Sequence, residues 1–373
     1  MKKNIVVIEG DGIGPEVTSQ AVKILDAVSS HFNHDFLYSY QLMGATAIDK
    51  TGMPLPTATL EECKKADAIL FGAIGDPRYD NNPDSKIRPE QGLLQLRKEL
   101  ELFANIRPIT AYPQLAALSP LKPGKLEGVD FVVFRELTGG IYFGNKMRSD
   151  DGTSASDDCV YHSSEIERIA HLAFQFALQP SRRQKLTLID KANVLETSRL
   201  WRKVVQELSA QYPEVKVDYM FVDNAAMQVI MNPAQFDVVL TENMFGDIIS
   251  DEASVLSGSL GLLPSSSIGS GTALFEPIHG SYPQAAGKDI ANPIGSILSA
   301  AMMLDYFSLA EEAALVREAV DWTLTNRFVT KDIEPVNFYF TSTLGEMICD
   351  YISGKVPATL KTENIELRKS TII

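Results

Sequence analysis

Short apolar runs recur along the chain, separated by stretches whose apolar residues return every three or four positions. NIVVIEG (4–10), FLYSY (36–40), AILFGAIG (68–75), VDFVVFREL (129–137), KLTLID (185–190), KVDYMFV (216–222) and FDVVL (236–240) are rich in β-branched and aromatic residues and read as strands. The intervening segments predict helices: EVTSQAVKILDAV (16–28) after Pro15, TLEECKKA (59–66), and 163–179 with a capping-box-like Ser164 and Glu167. IGSILSAAMMLDYF (294–307) and a last helix near EEAALVREAVDWTLT (311–325), before a polar tail, complete the set. The alternation of strand and helix predicts an α/β fold with a mostly parallel sheet. Three segments break the rhythm. DPRYDNNPDSKIRP (76–89) reads as a mobile loop, 145–164 as an exposed arm, and the Gly-, Pro- and Ser-rich stretch 264–293 as a long functional loop.

Chemistry sits at the junctions. Asp247 and Asp251 lie four apart in the helical stretch after FDVVL, so they share one face and repel unless a cation lies between them. Oxygen-only ligands of this kind suit Mg²⁺ or Mn²⁺; on spacing alone two solvated acids are the commoner case, and nearby Gly246, Gly258, Gly261 and Asp223 favour the metal. Glu90, Leu93, Leu94 and Arg97 share a face of the helix predicted in EQGLLQLRKELELFANIRP, with Arg107 at its exit. Arg135 ends another apolar run, and Tyr142 stands among Gly139, Gly140 and Gly144. Three arginines at element ends are candidates for gripping carboxylates, although surface ion pairing is the commoner fate. Lys191 stands at a strand-to-helix junction, where the helix dipole would favour a neutral amine suited to general-base work. Asp223 stands at a similar junction, as ligand or as plain helix cap. In the long loop the polar candidates are Glu276, His279, Gly280 and Asn292. The turn GDGIGPE does not fit a dinucleotide fingerprint: Gly10, Gly12 and Gly14 alternate, and Asp11 and Glu16 would point negative charge at a pyrophosphate.

Composition narrows the function. With 373 residues the chain can form two domains, and 34 basic against 48 acidic residues give a net charge of −14, which disfavours nucleic-acid binding. The three cysteines are isolated, which argues against a disulfide framework or a cysteine-built metal site. No transmembrane-length run or signal peptide is evident, so a cytoplasmic protein is expected.

GDGIGPE, GLLQLRKELELFANIRP, RELTGGIYFG, DKANVLETSRLWR, NMFGDIISDEASVLSGSLGLLPS and EPIHGSYPQAAGKDIANP follow one another in an order that resembles the β-decarboxylating dehydrogenase family of isocitrate and isopropylmalate. The resemblance covers nearly the whole chain. It implies two α/β domains sharing a central sheet, not a Rossmann fold: residues 1–102 with 258–373 on the nucleotide side, and 103–257 for substrate and dimerisation. It further implies a homodimer with active sites shared between subunits. By the same resemblance Arg97, Arg107 and Arg135 bind carboxylates, and Asp247 and Asp251 hold the metal with Asp223 of the other subunit, which also touches substrate. Lys191 of the neighbour is the base and Tyr142 the acid. Glu90, Leu93, Leu94 and Val194 form the alkyl pocket. Glu276, His279, Gly280, Ser281, Gln284, Ala291 and Asn292 form the nicotinamide-nucleotide site. Leucines at the pocket floor favour 3-isopropylmalate over isocitrate, whose third carboxylate would be buried unpaired. That substrate places the enzyme in leucine biosynthesis. Relatives acting on homoisocitrate, tartrate or another alkylmalate, and a non-catalytic dimeric scaffold, are the alternatives. Gln284 and Ala285 bring no cation for a 2′-phosphate, which favours NAD over NADP.

Overall fold

The computed structural model describes residues 1–80 and 87–355. In chain order the strands are β1 (Lys2–Gly10), β2 (Asp35–Gln41), β3 (Ala68–Ala73), β4 (Leu102–Thr110), β5 (Asp130–Glu136) and β6 (Lys146–Arg148). They continue with β7 (Ala155–Asp157), β8 (Lys185–Asp190), β9 (Lys216–Phe221), β10 (Val238–Thr241), β11 (Pro264–Gly269) and β12 (Ala273–Pro277). The fold is α/β with a large central sheet of ten strands. The chain divides into two compact units. One comprises Met1–Leu100, Ser259–Ser266 and the described residues from Ser270 onward; the other comprises Glu101–Gly258 and Ser267–Gly269.

In the first unit the strand order is β2-β1-β3-β12, followed by β11, of which residues 264–266 belong to this unit. β1 pairs parallel with β2 and β3, and β3 with β12. All six residues of β3 are buried, which is why AILFGA reads as a continuous apolar run rather than an alternating one. Helix Gly14–Phe32 packs on helices Ile294–Tyr306 and Thr341–Ile352. The last of these lies in what the sequence suggests is a polar tail; it buries Leu344, Ile348, Tyr351 and Ile352. β11 and β12 also lie inside the stretch expected to be a long loop. Ser265, Ser266 and Ser267 are buried in a strand although serine carries no strand signal, because burial in the sheet overrides propensity. The segment 76–89 holds a short helix, Pro77–Asp80, and its residues 81–86 lie outside the described part, as does the tail beyond 355.

In the second unit the order is β4-β5-β10-β8-β9, with β4 antiparallel to β5 and the rest parallel. Helices Ser163–Ala177 and Glu196–Ser209 bury Phe174, Trp201 and Val205 against Phe134, Leu188 and Leu240 of the strands. The first of these helices is capped two residues earlier than its sequence suggests. His162 is the N-cap residue, and its backbone N–H donates to the Glu165 carboxylate at 2.7 Å. The expected arm is a two-stranded hairpin, β6 with β7, whose six strand residues are all exposed.

Candidate active site

The antiparallel register of β4 and β5 sets Asn105 opposite Arg135. Arg107 follows on β4 itself; the amphipathic helix before it stops at Glu99, so the expectation of a helix exit at Arg107 is corrected. The chain leaves that helix through Glu101 at φ 50°. From β10 the chain enters helix Asn243–Ser254, where Asp247 and Asp251 stand one turn apart. Gly246 lets this helix approach closely, since a Cβ there would lie 2.7 Å from Arg135 Cγ.

These elements assemble a guanidinium–carboxylate cluster in the second unit. Arg135 donates from Nε and Nη2 to Asn243 Oδ1 at 3.1 and 2.9 Å, and from Nη1 to Asp247. Arg107 donates to Asn105 Oδ1 at 2.7 Å, Ser250 Oγ at 2.6 Å and Asp251 Oδ1 at 3.2 Å. Both arginines are buried. The Tyr142 hydroxyl donates to Asp247 Oδ2 at 2.9 Å, and its ring lies 5.7 Å from the Arg135 guanidinium. Loss of water, then the charge of Asp247, raises the phenol above its ordinary range. Loss of water also raises the Asp251 carboxyl; Arg107 opposes this and Asp247 adds to it.

Lys191 and Asp223 form a separate pair in the same unit, Nζ donating to Oδ1 at 2.6 Å. The lysine holds the Asp223 carboxyl below its usual range. Asp223 lies in the first turn of helix Val222–Met231. The helix after Lys191 begins only at Glu196, and residues between form a turn in which Val194 N and Leu195 N donate to Lys191 O. A helix dipole therefore does not act at Lys191 as its sequence position suggests. Val194 is exposed on this turn. Among the described residues no group of three or more His, Cys, Asp or Glu side chains could hold a metal ion.

In the first unit, helix Glu90–Glu99 divides the expected ligand face: Leu93 and Leu96 are buried, whereas Leu94 is exposed. Leu93 is thus packed beneath the helix while Leu94 faces outward beside it. Glu90 is half-buried on this helix. Arg97 donates to Glu276 Oε1 at 2.8 Å, and its buried Nε has no partner among the described residues. His279 Nδ1 lies 2.9 Å from Gly280 O, its buried Nε2 has no partner among the described residues, and burial pulls the imidazole below its ordinary value. Ile13 N donates to Ser281 O at 2.8 Å, and a Cβ on Gly12 would sit 2.0 Å from that oxygen. The glycine turn therefore buttresses the 279–281 loop.

The acids of that turn do not point at open space. Asp11 accepts from Ala45 N, Thr46 N and Gly75 N, each at 3.0 Å, and Glu16 accepts from Gly287 N and Asp289 N. Gln284 is exposed, whereas Ala285 and Ala291 are buried with Ile13 and Val17. Asn292 is engaged at both ends, accepting from Ile294 N and donating to Asp332 Oδ2, each at 3.0 Å. Asp332 was not marked by any spacing; it also receives the Thr330 hydroxyl at 2.6 Å and the Ser259 hydroxyl.

Buried arginines beside two aspartates and a tyrosine on an α/β fold are the residue types an enzyme acting on a polyanionic acid would use. Residues 4–348 match the isocitrate/isopropylmalate dehydrogenase family, and the chain belongs to it. It is 53% identical over 354 residues to a 3-isopropylmalate dehydrogenase of Bacteroides fragilis (94% of this chain, 99% of the relative). It is 51% identical over 370 residues to that of Bacillus licheniformis (98% and 97%). Among solved structures, an isocitrate dehydrogenase from Methylococcus capsulatus is similar with TM-score 0.85 and 33% identity, covering 94% of this chain and 99% of that one. A β-decarboxylating dehydrogenase from Thermococcus kodakarensis in its apo form follows with TM-score 0.78 and 36% identity (94% and 96%).

Proposed function

We propose that the protein oxidises (2R,3S)-3-isopropylmalate with NAD and decarboxylates the product to 4-methyl-2-oxopentanoate, a step of leucine biosynthesis. The observation that carries this reading is the cluster of Arg107, Arg135, Tyr142, Asp247 and Asp251. As it stands, the two guanidinium groups and two aspartates neutralise one another. The hard oxygen donors of Asp247 and Asp251, with an Asp223 from a second copy, fit Mg²⁺ or Mn²⁺. When bound, such an ion supplies Lewis-acid polarisation of the C2 oxygen. With the aspartate charge taken up, the forks of Arg107 and Arg135 are free for substrate carboxylates, joined by Arg97.

Lys191 of the second copy takes the C2 hydroxyl proton as hydride leaves, and Tyr142 returns a proton to C3 after CO₂ departs. Its raised phenol keeps that proton available at neutral pH. Leu94, Leu93, Glu90 and Val194 receive the isopropyl group, worth roughly 1.5–3 kcal/mol on burial. A third carboxylate there would meet leucine. Glu276, His279, Gly280, Ser281, Ala291 and Asn292 hold the nucleotide, and the neutral Gln284 favours NAD. The first unit is the nucleotide side and the second the substrate and dimer side of a cytoplasmic homodimer. No helix among the described residues is long and apolar enough to cross a membrane.

The test is NADH formation across 3-isopropylmalate, isocitrate, homoisocitrate and tartrate with Mn²⁺, repeated with a chelator and with NADP. Turnover of 3-isopropylmalate should exceed the others at least about tenfold, a discrimination of ~1.4 kcal/mol. The chelator should abolish it. Equal isocitrate turnover or a preference for NADP defeats the corresponding part.

A further inference from the structure

Behind Lys191 lies an ion pair that the reaction above does not use. Asp190, the last residue of β8, is only 2% exposed. Its two oxygens are held by one guanidinium: Arg202 Nε donates to Oδ2 and Nη2 to Oδ1, each at 2.8 Å. Ala192 N donates to the same Oδ1 at 3.0 Å, so the carboxylate also ties down the residue after Lys191. The lysine backbone is fixed on both sides, its N–H donating to the buried Ser198 hydroxyl at 3.0 Å and its carbonyl accepting from Val194 and Leu195.

Aromatic rings complete the mount. Tyr219 and Phe221 are alternate residues of β9, so both rings lie on one side of the strand. The Arg202 guanidinium lies 5.2 Å from each ring, a cation–π arrangement. Lys191 Nζ lies 6.0 Å from the same Phe221 ring while bonded to Asp223. Two cations, each bound to a carboxylate, thereby lie near one ring. A planar two-pronged donor is needed to hold both Asp190 oxygens, and lysine cannot reproduce that fork.

We infer that Asp190 and Arg202 are positioning residues that set the Lys191 turn through a two-pronged ion pair braced on Tyr219 and Phe221. This rests on the proposed role of Lys191 in proton transfer. A pair that only held the fold together would change stability when altered and leave the chemical step alone. A positioning pair changes kcat, because proton transfer depends on where the amine stands.

The experiment uses the full-length protein with saturating 3-isopropylmalate, NAD and Mn²⁺, comparing Arg202→Lys, Arg202→Gln, Asp190→Asn and Lys191→Met. Arg202→Gln and Asp190→Asn should each lower kcat about 10- to 100-fold, the usual effect of losing a group that orients a reacting one from behind. KM for both substrates should stay within about twofold, since uniform binding is untouched. The acid limb of the kcat–pH profile should move in both variants. The double variant should be no worse than the weaker single, because the two act as one unit. Arg202→Lys should recover only part of kcat. Should Arg202→Gln fail to fold, the milder Arg202→Lys and Asp190→Asn, checked by thermal melting, carry the same comparison. Wild-type kcat and pH profile in Asp190→Asn and Arg202→Lys, with Lys191→Met inactive, overturns the positioning pair alone. Full kcat in Lys191→Met overturns the reading beneath it.

Discussion

A carboxylate denied water is a measurable object, and Glu242 is one. It precedes helix Asn243–Ser254, is 5% exposed, and burial pushes its carboxyl up to about 7. A bond from Phe245 N opposes that shift, and the nearby Glu136 adds to it. The native state thus binds this proton more tightly than the unfolded chain. The associated stability is present below the ordinary value of 4.5 and is lost as pH rises through about 7. Glu242→Gln is therefore expected to melt higher than the wild type at pH ~8, by on the order of 1–3 kcal/mol, and to show no gain near pH ~4.5. An equal change at both pH values would refute the assignment. Neither buried glutamate was legible in the sequence, because VVFREL and VVLTEN look like strands ending in solvent. Arg135, Asp247 and Tyr142 were legible as candidates from an element end, a helical spacing and a glycine-rich turn, and Arg107 from a helix exit that β4 replaces. Their pairing was not: it depends on the β4–β5 register, which no local pattern encodes.

Among the elements, the turn from β1 into helix Gly14–Phe32 makes a close backbone approach to Ser281, which the glycine spacing alone did not reveal. Gly12 has φ 59°, and a side chain there would collide with Ser281 O. Gly12→Ala should cost about 1–3 kcal/mol from left-handed backbone strain and raise KM for NAD by displacing the 279–281 loop. Gly52→Ala is the control: it shares the left-handed backbone, with φ 77°, but a Cβ there meets nothing within 4 Å. It should lower the melting temperature and leave KM for NAD unchanged. If both variants alter that KM alike, the contact with Ser281 is not the cause. Where the sequence misled, packing had outweighed propensity. Three serines became part of β11, and helix Thr341–Ile352 hid inside a polar-looking end. The periodicity that predicts one long helix over 90–108 instead breaks into helix Glu90–Glu99 and β4.

At the scale of the whole molecule, the expected α/β class and central sheet are present, and the glycine-rich and motif-bearing segments lie where strands meet helices. Lys191 with Asp223, and Asp247 with Asp251 and their arginines, form two separate groups within one chain. If each active site draws one group from each subunit, inactive Lys191→Met and Asp247→Asn proteins should complement when subunits are exchanged. Half of randomly mixed dimers are hybrids with one intact site, so about a quarter of wild-type activity should return. No recovery after verified exchange would show that each chain works alone. The first unit's construction from both ends of the chain has a further consequence, for synthesis. β3 ends at Ala73, and its parallel neighbour β12 begins only at Ala273. At about 5–20 residues per second, the fully apolar β3 waits roughly 10–40 s on the ribosome for that neighbour. The second unit is nearly contiguous and can fold in the interval. The nascent chain therefore carries an unpaired hydrophobic edge for most of its translation, and it should be most vulnerable to aggregation, and most dependent on chaperones, before its last hundred residues emerge.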